Sequence, residues 1–141
     1  TIKSENFDLF KIKFENIVRK KIQPEQKTNV IDIDLEIDLD SIDGRFYRIL
    51  KQFEPFGPDN LNPIFSTENL NINGPLRFIG EDKSHVKLEL NTKSAKINAI
   101  GFGIASKFKS LKKQKVDLCY TLNENHWNNK TTIQLNIKDV F

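Results

Sequence analysis

The stretch Glu54-Pro55-Phe56-Gly57-Pro58-Asp59-Asn60-Leu61-Asn62-Pro63-Ile64-Phe65 separates a helical pattern from a run of short strands. Its three prolines, one glycine and two asparagines each favour turn geometry for a different backbone reason, so together they read as a rigid connector. Phe53, Phe56, Ile64 and Phe65 supply an apolar face to anchor it.

Downstream, residues 69–79 alternate through Leu70, Ile72, Leu76 and Phe78, with a Gly74-Pro75 break suited to a bulge or bend. Residues 85–91 set Val86, Leu88 and Leu90 against His85, Lys87, Glu89 and Asn91. Residues 95–102 form a third strand, where Ile100 and Phe102 read as core or corner fillers. Residues 116–122 bury Val116, Leu118, Tyr120 and Leu122, leaving Asp117, Cys119 and Thr121 outward. Residues 131–138 bury Ile133, Leu135 and Ile137 beneath Gln134, Asn136 and Lys138. Between the third and fourth strands, Ile104, Phe108 and Leu111 recur at helical spacing. Three strands, a helix and two strands is the order of an OB-fold, a five-stranded, partly open barrel. The expected class is mainly β with flanking helices: a five-stranded OB-fold barrel over residues 69–138, preceded by an extra strand and helix.

Upstream, Ser4 reads as an N-cap with Glu5 and Asp8 in the first turn, where carboxylates complement the helix dipole. Phe7, Phe10, Phe14, Ile17 and Val18 follow at helical spacing, and Pro24 stops the pattern. So aromatic a face needs a neighbour to cover it. Residues 30–40 alternate Ile31, Ile33, Leu35, Ile37 and Leu39 with Asp32, Asp34, Glu36, Asp38 and Asp40, which predicts a half-buried strand. Carboxylates two apart on a strand stand about 7 Å apart, so one row cannot enclose a cation unaided. The row reads as a solvated face or a seat for basic protein groups, and DNA should avoid it. Ser41 or Asp43 caps a second helix running through Phe46, Ile49, Leu50 and Phe53.

The 141 residues leave room for one domain, or one domain and part of another. A composition of 38% apolar and 29% charged residues is that of an ordinary globular protein. No apolar run approaches the ~20 residues of a membrane-spanning helix, and no signal-peptide pattern opens the chain. The lone Cys119 excludes an intrachain disulfide and a cysteine zinc site, and points to a reducing, cytoplasmic home. With no methionine anywhere, the chain is expected to be excised from something longer. Residues 1–61 hold 10 Lys/Arg against 12 Asp/Glu, a balance of −2, while residues 62–141 hold 12 against 7, a balance of +5. The strand-rich half is therefore where a polyanion would be sought, with a merely solvated surface as the alternative.

Four motifs run in order through residues 54–139. They are Pro55-Phe56-Gly57, Gly80 with His85-Val86-Lys87-Leu88, Ile97-Asn98-Ala99-Ile100-Gly101-Phe102-Gly103, and Asn125-His126-Trp127 with Ile133-Gln134-Leu135 and Asp139. The set resembles the C-terminal OB-fold domain of the RecJ family of single-strand-specific 5′→3′ DNA exonucleases. The first helix is similar to the last helix of the DHHA1 domain that precedes it in that family. The resemblance implies that residues 1–26 are a remnant of DHHA1 and 27–141 the RecJ-type OB domain. It also implies a bacterial, cytoplasmic enzyme of DNA repair and recombination. Its partners would be single-stranded DNA, the enzyme's own DHH and DHHA1 domains and other repair proteins, with no membrane. The family's DHH motifs and its Gly-Gly-His motif have no counterpart here, so this chain is expected to be non-catalytic and to carry no cofactor. Divalent Mn or Mg is implied for the missing catalytic domain. Asn128-Asn129 stands where the family usually has a glycine, and Asn tolerates positive φ.

An OB-fold binds single strands across its second and third strands and the flanking loops. That places Arg77, Lys83, His85, Lys87 and Lys96 on the expected DNA-binding face, with Trp127 and Lys130 in the last hairpin. Each cation has an ordinary solvated alternative. His85 reads as a hydrogen-bonding structural histidine, and Trp127 either as a base-stacking group or as an aromatic folded back over the barrel end. The run Lys107, Lys109, Lys112, Lys113 and Lys115 is either a solvated helix face or a phosphate-tracking rim. The rival function is an architectural clamp or protein-docking domain of the same enzyme, with weak DNA contact.

Overall fold

The computed structural model describes residues 2–23, 30–72, 74–93, 95–111 and 115–141. The chain divides into two compact units, Thr1–Ile31 and Asp32–Phe141.

The first unit is an amphipathic helix. A 3-10 turn at Ser4–Asn6 runs directly into α1 (Phe7–Lys21). Ser4 therefore lies inside the turn instead of capping it, and no side chain caps either start. Phe10 and Phe14 stack one turn apart with ring centroids 5.6 Å from each other, and no residue of α1 is buried. Pro24, expected to stop the helix, lies outside the described residues.

The second unit is built on one seven-stranded sheet with the order β1-β2-β6-β7-β5-β4-β3. Its strands are β1 (Leu35–Glu36), β2 (Phe65–Asn71), β3 (Arg77–Ile79), β4 (His85–Asn91), β5 (Lys96–Gly101), β6 (Lys115–Trp127) and β7 (Lys130–Val140). The helices are α2 (Gly44–Leu50), continued by a 3-10 turn at Lys51–Phe53, and α3 (Ala105–Ser110). Two of the pairings, β1 with β2 and β5 with β7, are parallel; the others are antiparallel.

The expected strand over 69–79 is two strands, β2 and β3: β3 lies at one edge of the sheet and β2 next to the other, beside β1. Five strand spacings of about 4.8 Å separate them across the sheet, roughly 24 Å. The six residue steps from Asn71 to Arg77 reach at most about 21 Å even when fully extended. A flat sheet could not be joined this way, so it must curl. Gly74 shows the result: a Cβ there would sit 3.4 Å from the carbonyl of Glu89 on β4. The sheet is not closed by hydrogen bonds, but its curl brings the end of β2 beside the end of β4, where Asn69, Leu70 and Asn71 share a groove with Leu90 and Asn91.

Inside lie Val86, Leu88 and Leu90 of β4, Ile97 and Ala99 of β5, Leu118, Tyr120 and Leu122 of β6, and Leu135 and Ile137 of β7. Phe108 of α3, 2% exposed, joins this cluster. Each Val, Leu, Ile or Phe side chain among them contributes about 1.5–3 kcal/mol by leaving water. The alternation read for β4 is the one observed; on β7 Leu135 and Ile137 are buried as expected, but Ile133 is only half-buried, like Gln134. On β6 it fails, since Cys119 and Thr121 are buried as well, at 1% and 4% exposure. The Cys119 thiol faces the Asp139 carbonyl at 3.9 Å, and burial pushes its pKa up.

The acidic segment also departs from expectation. Only Leu35–Glu36 is a strand, and Ile33 and Leu35 are 43% and 54% exposed. The segment is held by its short parallel pairing with β2, by backbone bonds from Asp34 N–H to the Ile64 carbonyl and from Ile37 N–H to the Ser66 carbonyl, and by its acids. Asp34 accepts from Ile64 N–H at 2.8 Å, Asp38 accepts from Asp40 N–H at 3.0 Å, and Asp40 accepts from Lys93 N–H at 2.6 Å. The bond from the Lys93 amide, reinforced by its ammonium, holds the Asp40 carboxyl below the usual range. Asp43 caps α2 by accepting from Phe46 N–H at 2.7 Å. In the connector, Asn60 ties the turn by donating to the carbonyls of Phe53 and Pro55 at 2.8 and 2.9 Å. Phe65 is buried and Phe56 and Ile64 are half-buried, but Phe53 is 62% exposed and does not anchor the connector.

Candidate nucleic-acid interface

Register places the outward residues of β3, β4, β5 and β7 in lateral rows. Arg77 stands opposite Lys87, Lys87 opposite Ile100, and Ile100 opposite Asn136. One step along the strands, Glu89 stands opposite Asn98, and Asn98 opposite Gln134. Arg77 and Lys87 are therefore two cations directly across an antiparallel pair, an arrangement that costs stability through repulsion. Among the described residues neither forms an ion pair. They line a shallow depression of about 170 Å³ together with Pro75, Leu88, Glu89 and Asn98.

At one end of this face the β3–β4 turn is locked to the turn after β5. Gly80 has φ +94° and Gly103 has φ +71°, both in the left-handed region. A Cβ on Gly80 would press on the His85 ring at 3.2 Å. His85 Nδ1 accepts from the Gly103 N–H at 3.0 Å, which leaves the ring proton on Nε2. The structural hydrogen-bonding role expected for His85 is the one its geometry shows. Phe102 meets the His85 ring edge-on, with centroids 5.3 Å apart, yet remains 57% exposed. It does not fill the core as expected, because it lies just past the end of β5 on the outward side of the alternation. On the adjoining flank, Lys109 Nζ sits 4.9 Å over the Phe78 ring.

The other candidates are dispersed. Lys83 has φ +53° in the β3–β4 turn, between Asp82 and Ser84. Asp82 accepts from Ser84 N–H at 3.0 Å, and bonding to Ser84 lowers its carboxyl pKa, so an anionic carboxylate adjoins Lys83. Lys96 is bound to Glu89 at 2.6 Å. Trp127 and Lys130 are partners at the tip of the β6–β7 ribbon, where Asn128 and Asn129 take φ +47° and +58°. Trp127 is 73% exposed, so it is not folded back over the barrel. The tip lies at the Lys96 end of β5, opposite the end held by His85. Of the lysine run, Lys107 pairs with Asp139, Lys115 is exposed, and Lys112 and Lys113 lie outside the described residues.

The sequence predicts Phe102 as a core or corner filler and Phe78 as an apolar strand position, and names neither Asn98 nor Asn136 as a DNA-contact candidate. Strand alternation carried the signal for Asn98 and Asn136, since both fall on the polar phase. Exposure of Phe102 follows only from where β5 ends.

Strands of this order, with a helix between β5 and β6, have the arrangement of an OB-fold domain. The sequence matches the RecJ OB domain family over residues 33–139, and the chain belongs to that family. The chain is 25% identical, over 99% of its length, to the single-stranded-DNA-specific exonuclease RecJ of Bacillus subtilis strain 168, of which it covers 18%. Its fold matches that of RecJ from Thermus thermophilus in complex with Mg2+, with a TM-score of 0.63 at 18% identity. That match covers 99% of this chain and 21% of the other; the Mn2+ complex of the same protein gives a TM-score of 0.61. The chain thus spans about a fifth of the length of the relatives it matches.

Proposed function

We propose that the chain is the single-stranded DNA-binding domain of a RecJ-like 5′→3′ exonuclease of DNA repair and recombination, and that this part is itself non-catalytic. The observation that carries the reading is the Arg77–Lys87 couple, in register on the outer face and without an ion pair among the described residues. Two like charges held side by side gain from an anion between them, and a phosphodiester strand supplies one per nucleotide. Phe102, exposed at the end of the same face, offers a surface on which a base can stack for ~1–3 kcal/mol. Bases differ little in their stacking faces, so binding would be nearly independent of sequence.

In the parent enzyme this face would guide the strand toward a divalent-metal site on domains outside this chain. There Mn or Mg would supply metal-activated water. Residues 1–26 would be the end of the preceding DHHA1-type domain and 27–141 the OB domain, in a cytoplasmic protein. The rival role, a clamp or protein-docking domain, draws support from the exposed Ile33 and Leu35 beside the acidic row.

Anisotropy of a labelled oligothymidylate separates the two. The DNA-binding reading expects saturable binding that weakens at least tenfold with Lys87→Glu. Binding indifferent to that reversal, or none at all, would favour the clamp.

A further inference from the structure

Lys96 Nζ and Glu89 Oε1 form a 2.6 Å ion pair across β5 and β4, on the same outer face as Arg77 and Lys87. Their side chains remain 63% and 49% exposed, and such a pair contributes only about 0–1 kcal/mol to stability. Its consequence lies in where it holds the carboxylate. Glu89 lines the depression that holds Arg77 and Lys87, whereas Lys96 lines the neighbouring groove beside Ala95 and Ile97. The ion pair therefore engages the carboxylate from the side of that groove. Glu89 lies two residues from Lys87 on one strand and diagonal to Arg77 across the β3–β4 pair. Long side chains span such separations of about 7–8 Å. A released Glu89 would pair with one of those cations, in the place a phosphate would take.

We propose that Lys96 is a positioning residue: by holding Glu89 aside, it keeps the Arg77–Lys87 couple open to a single strand. The inference rests on the DNA-binding reading above, and differs from assigning Lys96 a phosphate of its own.

The test is a double-mutant cycle on the chain, with oligothymidylate affinity measured across a salt series. Lys96→Gln should weaken binding about threefold at low salt, the effect of one unit charge at ~7 Å in water. It should also lower the salt slope by about 0.7, one single-strand contact. In the Glu89→Gln background the same change should leave affinity within about twofold and the slope unaltered, because no carboxylate remains to intrude. A slope loss that persists in that background overturns the proposal and makes Lys96 a direct phosphate ligand. An unchanged slope in both backgrounds overturns it too. If the unaltered chain does not bind oligothymidylate, the DNA-binding reading falls and takes this inference with it.

Discussion

His85 Nδ1 accepts the backbone N–H of Gly103 at 3.0 Å, so a side-chain hydrogen bond ties the start of β4 to the turn after β5, beside the backbone bond from Ala105 N–H to the Ser84 carbonyl. It explains why Gly80, His85 and Gly103 occur together: one glycine makes room for the ring, and the other presents its amide from a left-handed backbone. His85→Ala should cost about 1 kcal/mol in urea denaturation, the net value of one hydrogen bond. Gly103→Ala meets no atom within 4 Å but must adopt φ +71°, which should cost about 1–2 kcal/mol. Unchanged midpoints in both variants would show that the tie carries no stability.

Arg77 and Lys87 repel each other on the unliganded surface. Replacing either with threonine should therefore raise stability at low salt, by about 0.2–1 kcal/mol, while weakening oligonucleotide binding. Added salt should erase the gain, because exposed charges are screened. A loss of stability in both variants would mean that the cations are structural.

Burial pushes the Tyr120 phenol up to about 12, with the Thr67 hydroxyl as its partner at 2.7 Å. The unfolded chain ionises near pH 10, so the folded state favours the neutral phenol. This stability is present in full below pH ~10 and is lost as pH rises through 12, a decline of roughly 2–3 kcal/mol. Tyr120→Phe should start about 1 kcal/mol lower at neutral pH and lose less over the alkaline range. Parallel alkaline unfolding curves would contradict the assignment.

Trp127 reports on the ribbon tip rather than on the cationic face. Its emission should be that of an exposed indole, given its 73% exposure. Oligothymidylate long enough to span the sheet should quench it, and short oligomers that bind near His85 should not. Equal quenching by both would place the two ends of the face in one site.

Much of this was legible in the sequence because local chemistry and tertiary demand agreed. Residues 85–91 alternate because one face meets the core and the other water. Asp43 was readable as a cap, and Asn128-Asn129 as a turn, from side-chain chemistry alone. Residues 30–40 misled because alternation does not fix how far pairing runs. Only Leu35–Glu36 forms a strand with β2, and the flanks are also secured by carboxylate-to-amide bonds with residues far along the chain, such as Ile64 and Lys93. The division at Gly74-Pro75 was visible, but the separate partners of the two halves were not, since closure depends on the whole barrel. In the candidate site, Arg77, His85 and Lys87 were found by strand phase, whereas the Lys96–Glu89 bond needed cross-strand register.

The most direct test of the central claim is amide chemical-shift mapping of the labelled chain during titration with oligothymidylate. The account predicts that the largest shifts fall on Arg77–Ile79, on residues 85–89 and on residues 98–103, the outer face and its locked end. Shifts confined to the acidic segment around β1 and to α2, or no shifts at all, would contradict it.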